Sequence, residues 1–327
     1  MRLAVLGAGA WGTALAIEFC RRRQTTLWTW RSEHAAAMRS ERCNQLFLPD
    51  FPLPEDLQVS DDFAAAVADI DLAIIATPVA GLRECVAALR DKQPDAAFLW
   101  ACKGLETSSG MLPHQVVAAE HPGAQRCGVL SGPSFAREVA SGLPAAIVIA
   151  SADADFAAAT VAALHGPQLR LYANDDIIGV EVGGAVKNVL AIAAGISDGL
   201  GLGLNARAAL LTRGLAEISR FGVALGGRSE TFMGLTGMGD LLLTCTGDLS
   251  RNRQVGLALA AGASIAEIQQ RLGHVAEGVA TAREVAARAA ALNVDMPLTA
   301  SVCAVLEGRM SAPQAVECLL RRELRPE

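Results

Sequence analysis

The stretch RLAVLGAGAWGTALA, residues 2–16, constrains the fold of this chain more than any other segment. Arg2 to Leu6 is an apolar run of strand length. Gly7, Gly9 and Gly12 follow at G-x-G-x-x-G spacing, and Ala14 to Ile17 read as a buried helix. Strand, tight glycine turn and helix in that order are the context of a dinucleotide fingerprint. Gly7 permits the turn, Gly9 lets backbone approach a pyrophosphate, and Gly12 lets the helix lie close to the strand. Free N–H groups at the helix start, with the helix dipole, attract phosphate.

The rest of the first half repeats this alternation. Thr25–Trp30, Leu57–Val59, Leu72–Ala76, Ala97–Ala101, Cys127–Leu130, Ala145–Ala150 and Leu169–Tyr172 read as strands, with helical segments such as Gly81–Arg90 and Met111–Glu120 between them. Such alternation predicts an α/β Rossmann-like domain with a mainly parallel sheet. Near-continuous apolar strands such as LAIIA and AAIVIA fit burial on both faces. Past Asn174 no convincing strand appears. Val180–Ile196, Ala206–Leu225, Ser264–Arg271, Thr281–Leu292 and Pro297–Leu306 read as helices, Gly226–Gly227 and Gly247–Ser250 as loops, and Arg321–Glu323 as a solvated helix end. The expected division is a dinucleotide-binding domain at 1–174 and an all-α carboxy-terminal, substrate-binding domain at 175–327. A chain of 327 residues is long enough for two cores.

Composition excludes several functions. Apolar residues make up 52% and mean hydropathy is positive, yet no apolar run is expected to reach the roughly 18 residues of a membrane span. A net charge of −6 argues against nucleic acid as a partner. The eight cysteines form no C-x-x-C pair, and most sit in apolar context and read as small buried thiols. With no secretion signal, they point to a reducing cytoplasm. The five histidines, His34, His114, His121, His165 and His274, show no metal-ligand spacing, so no metal is expected.

Four segments carry residues suited to a small anionic substrate. In ACKGLE, Lys103 lies at a strand's carboxyl end, where ligands bind in open α/β sheets. A solvated loop lysine is the other reading. In SGPSFARE, Gly132 and Pro133 make a turn and Ser134 can cap the next helix, whose first N–H groups can hold an anion. A plain cap is equally consistent. In EVGGAVKNVLAIAAGISDG, Lys187 and Asn188 interrupt a small, apolar helix. Burying an ammonium is costly without a partner or a function, which points to acid–base work, although an exposed lysine fits the pattern too. Gly183 and Gly184, one turn earlier, can admit a ligand or a neighbouring helix. In GLTGMGDLLLTCTGDLSRNR, Asp240 can orient a lysine or bind a hydroxyl, and Ser250, Arg251, Asn252 and Arg253 form a polar cluster apt for phosphate or a solvated, capped loop.

Together with GAGAWGTALA, RCNQLFLPD and VAEG, these segments make the chain resemble the bacterial soluble type of NAD(P)-dependent glycerol-3-phosphate dehydrogenase over nearly its whole length. The resemblance implies reversible hydride transfer between NAD(P)H and dihydroxyacetone phosphate, giving sn-glycerol 3-phosphate for phospholipid synthesis, in a cytoplasmic homodimer. It makes Lys187 the proton donor or acceptor. Gly132, Ser134, Lys187, Asn188, Asp240, Ser250 and Asn252 match substrate positions, and Lys103 and Arg251 match positions shared by substrate and cofactor. Gly7, Gly9, Trp11, Gly12, Arg31, Ala136, Val275 and Glu277 match cofactor positions. Ala10 departs from the serine many relatives carry there, which removes one hydroxyl contact and keeps the backbone donors.

No acidic residue lies about 20 positions after the glycine motif. Thr29, Trp30, Arg31 and Ser32 stand there, so NADPH is expected to be favoured, although Glu33 is close by. A dehydrogenase of 2-keto or 3-hydroxy acids is a rival, but it gives the SRNR cluster less reason to exist. A noncatalytic dinucleotide-binding regulator is another, with no need of Lys187 and Asp240.

Overall fold

The computed structural model describes residues 1–107, 109–272 and 276–321. By compactness the chain divides into a first unit of residues 1–103 and 111–177 and a second of 104–110 and 178–327.

The first unit is built on strands β1 (Arg2–Leu6), β2 (Gln24–Trp28), β3 (Cys43–Asn44), β4 (Leu48–Pro52), β5 (Gln58–Ser60), β6 (Leu72–Ile75), β7 (Ala97–Trp100), β8 (Cys127–Ser131), β9 (Ala145–Ala150) and β10 (Leu169–Asn174). Eight of them form one sheet in the order β10-β9-β8-β7-β6-β1-β2-β5. All its pairs are parallel except β8 with β9. Every residue of β6 and β7 is buried, which explains their unbroken apolar runs. Leu3 and Val5 of β1, Ile74 of β6, Leu99 of β7 and Ile147 of β9 pack into one core with Leu15 and Phe19 of the helix Ala10–Cys20.

Strand order reverses at β1, with β2 on one side and β6 on the other. In an open α/β sheet the carboxyl ends flanking such a point are where ligands bind. The hairpin of β3 and β4 was not legible in the sequence. Its strands are short, and Pro49 and Pro52 break the pattern because proline donates no ladder hydrogen bond.

Among the described residues past Asn174 all regular elements are helices. The central one, Ile177–Gly199, corrects one expectation. It is long and apolar enough to cross a membrane, because Lys187 and Asn188 interrupt its apolar character only briefly. However, 89% of its most apolar window is buried inside the protein. Val189, Ile192 and Ile196 pack there with Val255, Ala282 and Val302, so it is the core helix of its unit. Helices Arg251–Ala260 and Ala312–Leu320 complete the bundle, the latter ending at an exposed Arg321. Arg322 and Glu323 lie outside the described residues.

One buried acid holds two of these helices together. Glu217, 1% exposed on helix Gly203–Ala224, accepts hydrogen bonds from the Leu298 and Thr299 N–H groups at 2.6 and 3.1 Å and from the Thr299 hydroxyl at 3.0 Å. It thereby satisfies free donors at the start of helix Pro297–Leu306. Burial pushes its carboxyl above the usual range, and the three donors pull it back. With the native value above the unfolded one, this group's stability contribution is full below the ordinary glutamate range and is lost as pH rises through the native value. Glu217→Gln turns one acceptor into a donor facing donors. It should cost about 1–3 kcal/mol and abolish that pH dependence. Denaturant midpoints across pH test this, and a variant as stable as wild type would show that Glu217 is not a needed acceptor.

Candidate active site

In the first unit, the glycine loop is shaped by contacts that leave no room for side chains. Gly7 has φ +122° and donates its N–H to the Trp28 carbonyl at 3.0 Å. A Cβ there would lie 2.8 Å from the Ala76 carbonyl carbon, just past β6, and a Cβ on Gly12 would overlap the Gly7 carbonyl oxygen. Above Gly9 a Cβ would meet nothing within 4 Å. Gly9 is the N-cap of helix Ala10–Cys20 and no side chain caps that helix. Open space over uncapped N–H groups at a helix start fits the phosphates of a dinucleotide. Trp11, half-buried, packs onto the core beneath.

Beyond β2 lies an open groove of about 680 Å³ whose lining includes Trp30, Arg31, Ser32, Glu33 and His34. The exposed Arg31 guanidinium lies over the Trp30 ring, 4.9 Å from its centroid. Both Arg31 and Glu33 line the groove.

Past the neighbouring strands β7 and β8, the Lys103 ammonium donates to the Gly132 carbonyl at 3.2 Å. Gly132 has φ +143°, and a Cβ would press on Ile147 Cα at 3.0 Å, so the turn requires glycine. Lys103, Gly132 and Ser134 are thus brought together. The capping role read for Ser134 is corrected. Helix Ala136–Ala140 has Phe135 at its N-cap with no side-chain cap, and the Ser134 hydroxyl turns back to the Gly132 carbonyl at 3.1 Å. Ser134 stands one residue too early to cap, and five residues are too short to make an anion site. Ala136 is the first residue of that helix.

In the second unit, the chemistry centres on Lys187. Its residue is 6% exposed, and its ammonium donates to Asp240 Oδ1 and, at 3.0 Å, to the Thr244 hydroxyl. Asp240 is 1% exposed and opens helix Asp240–Thr246 after the π-turn Leu235–Gly239. Thr244 sits one helical turn later and also donates to Asp240 Oδ1 at 3.4 Å. Sequence reading named Lys187 and Asp240 but missed Thr244, although its spacing of four from Asp240 within a helix was a usable signal. The contact is possible because the helices approach closely. A Cβ on Gly183 would overlap the Thr236 carbonyl oxygen. Gly183 therefore admits a neighbouring backbone. Below lies Cys245, whose thiol burial pushes up to about 12, so it stays neutral beside the ion pair.

The SRNR cluster divides. Ser250 caps helix Arg251–Ala260 by accepting the Arg253 N–H. Arg253 is taken up by Asp198 at 2.8 Å and Asp248 at 2.9 Å, so its place in a phosphate cluster is corrected to a structural one. Asp198 also holds Arg207. Asn252 donates to Asn188 Oδ1 at 3.0 Å and accepts the Gly278 N–H at 3.1 Å, tying three helices together. Arg251 is exposed and makes no ion pair among the described residues. Glu277 begins helix Glu277–Ala291 and is half-buried. Val275 and His274 lie outside the described residues. Among those residues, no group of three acidic, histidine or cysteine side chains could hold a metal.

Comparisons with known proteins agree over the full length. The pattern described as NAD-dependent glycerol-3-phosphate dehydrogenase N-terminus matches residues 2–157, and that of the same family's C-terminus matches 176–317. The glycerol-3-phosphate dehydrogenase [NAD(P)+] of Aromatoleum aromaticum is 58% identical, with all of both chains covered. The Dechloromonas aromatica protein of the same name is also 58% identical, over all of this chain and 99% of its own. Among solved structures, the glycerol-3-phosphate dehydrogenase of Coxiella burnetii superposes with a TM-score of 0.94 at 43% identity, covering 98% of this chain and 99% of that one.

Proposed function

The chain belongs to the NAD-dependent glycerol-3-phosphate dehydrogenase family, and on that premise we propose how its own residues carry the reaction. The protein is an NAD(P)-dependent oxidoreductase that reversibly reduces dihydroxyacetone phosphate to sn-glycerol 3-phosphate. Bound NAD(P)H supplies the hydride. As the ketone carbon is reduced, negative charge builds on its oxygen, and the Lys187 ammonium delivers the proton that completes the alcohol. The observation that carries this reading is the buried contact of Lys187 with Asp240 and Thr244, which holds Nζ at one place. Lys103 adds positive potential, Gly132 and Ser134 shape the turn beside it, and Arg251 takes the phosphate. Phosphate binding far from the reacting carbon positions the carbonyl. Asn188, Ser250 and Asn252 contact the substrate, and their hydrogen bonds also hold the helices that present Lys187 and Arg251. Gly7, Gly9, Trp11, Gly12, Arg31, Ala136, Val275 and Glu277 serve the nucleotide.

We further propose that residues 1–174 form the nucleotide domain and 175–327 the substrate domain, and that the enzyme works as a cytoplasmic homodimer. Light scattering at the mass of a single 34.0 kDa chain would argue against the dimer. The assay that tests the function follows NADPH oxidation with dihydroxyacetone phosphate. Turnover with a 2-keto acid and none with dihydroxyacetone phosphate, or no turnover at all, overturns it.

NADPH should be accepted at least as well as NADH, because Arg31 faces the groove beyond β2 where a 2′-phosphate would lie. Steady-state constants for both cofactors, in wild type and Arg31→Ala, check this. A tenfold preference for NADH, or equal weakening of both cofactors in the variant, would show that Arg31 does not read the 2′-phosphate.

A further inference from the structure

Asn44 is fully buried, yet it lies in the β3–β4 hairpin and outside the glycine motif. Its Nδ2 donates to the Ala8 carbonyl at 2.9 Å and to the Thr13 hydroxyl at 2.8 Å. Its Oδ1 accepts the Phe47 N–H at 3.2 Å and lies 2.9 Å from His34 Nε2. The amide orientation is forced by its partners. A carbonyl such as Ala8 only accepts, and a backbone N–H such as Phe47 only donates. His34 Nε2 must then carry a proton. In the neutral ring Nδ1 accepts, and the Thr29 hydroxyl, 3.4 Å away, donates to it. The same Thr29 oxygen accepts the Arg31 N–H at 3.5 Å. The result is one directed chain, Arg31 N–H to Thr29, Thr29 to His34, His34 to Asn44, and Asn44 to the glycine loop.

Both ends of this chain are nucleotide positions. Ala8 lies between Gly7 and Gly9. Arg31 and His34 line the groove beyond β2, and Cys43, Gln45 and Leu46 of the hairpin line it too. We propose that Asn44 is a positioning residue for cofactor binding, holding the glycine loop and the groove of the 2′-phosphate in one register through His34. This rests on the reading that the nucleotide occupies that loop and groove. Without the Asn44 amide the Ala8 carbonyl and Thr13 hydroxyl lose a buried donor, and the loop is no longer preorganised for the pyrophosphate.

The test measures NADPH dissociation constants by nucleotide fluorescence, together with kcat and both KM values. Asn44→Ala should weaken NADPH about 10- to 100-fold. The loss should appear in KM for NADPH rather than in kcat. His34→Leu, which removes the donor to Oδ1 and the acceptor of the Thr29 hydroxyl but leaves the Asn44 amide in place, should weaken it less, by about 3- to 10-fold, and it reports even if Asn44→Ala does not fold. Leu48→Ala serves as the control, since Leu48, 1% exposed, pairs with Asn44 across the same hairpin and its side chain has no hydrogen-bonding atom. It should lower the melting temperature and leave NADPH affinity within about threefold. Long-range ¹⁵N–¹H NMR, with His34 assigned by His34→Gln, should show the Nε2–H tautomer at neutral pH. An Nδ1–H ring, unchanged affinity in the Asn44 and His34 variants, or an equal loss in Leu48→Ala overturns the proposal. Wild type that fails to bind NADPH would instead overturn the functional reading on which it rests.

Discussion

Lys187→Ala should lower kcat by about 100- to 10,000-fold, the usual contribution of a general acid or base, while the dissociation constant for NADPH changes little. The reason is local. The ammonium contacts Asp240 and Thr244 and belongs to a unit distinct from the glycine loop. Its removal also strands a carboxylate that is 1% exposed, and breaking a buried ion pair in this way costs about 3–5 kcal/mol. Kinetics must therefore be measured below the variant's melting transition, with Lys187→Met as a bulkier replacement. Asp240→Asn keeps a hydrogen-bond acceptor for Nζ and should lower kcat less than loss of the lysine. A folded Lys187→Ala enzyme within a few-fold of wild-type turnover would remove Lys187 from the chemistry.

Arg251→Ala should raise KM for dihydroxyacetone phosphate by roughly 10- to 150-fold, corresponding to the loss of a charged hydrogen bond, and leave the unphosphorylated ketone nearly unaffected. The structure sharpens this choice of arginine. Arg253, two positions later, is held by Asp198 and Asp248, so it has little left for a ligand. Arg251 stays exposed on the same helix, which Ser250 caps. Arg253→Ala should accordingly act on stability, with equal effects on both ketones. Equal losses for both ketones in Arg251→Ala would sink the phosphate assignment.

The contrast between these arginines shows why the site was only partly readable. Both stand in one tetrapeptide of the same character, and the nearby Asp248 does not by itself say which of them it holds. What separates them is Asp198, 55 residues earlier on another helix. Ser134 failed in a similar way. Its spacing permitted a cap, but the helix begins one residue later than a cap would need, and its hydroxyl found the Gly132 carbonyl. The helix Ile177–Gly199 passes for a membrane span on composition and length, and only its buried surroundings identify it as a core element.

Legible in the one-dimensional string were the features set by local physics. Gly12 is demanded by the Gly7 carbonyl five residues earlier and Gly7 by its positive φ, while apolar runs and helical periodicity follow from which face each element must bury. Lys187 announced itself because an ammonium in an apolar helix is costly wherever the helix lies. Left to the tertiary structure were the partnerships. Lys187 meets residues 53 and 57 positions away. Asn44 reaches Ala8 across 36 residues. A hydrogen bond needs its atoms placed within a few tenths of an ångström. That placement depends on how closely backbones approach, as at Gly183 against Thr236, and such distances exist only once the elements have packed.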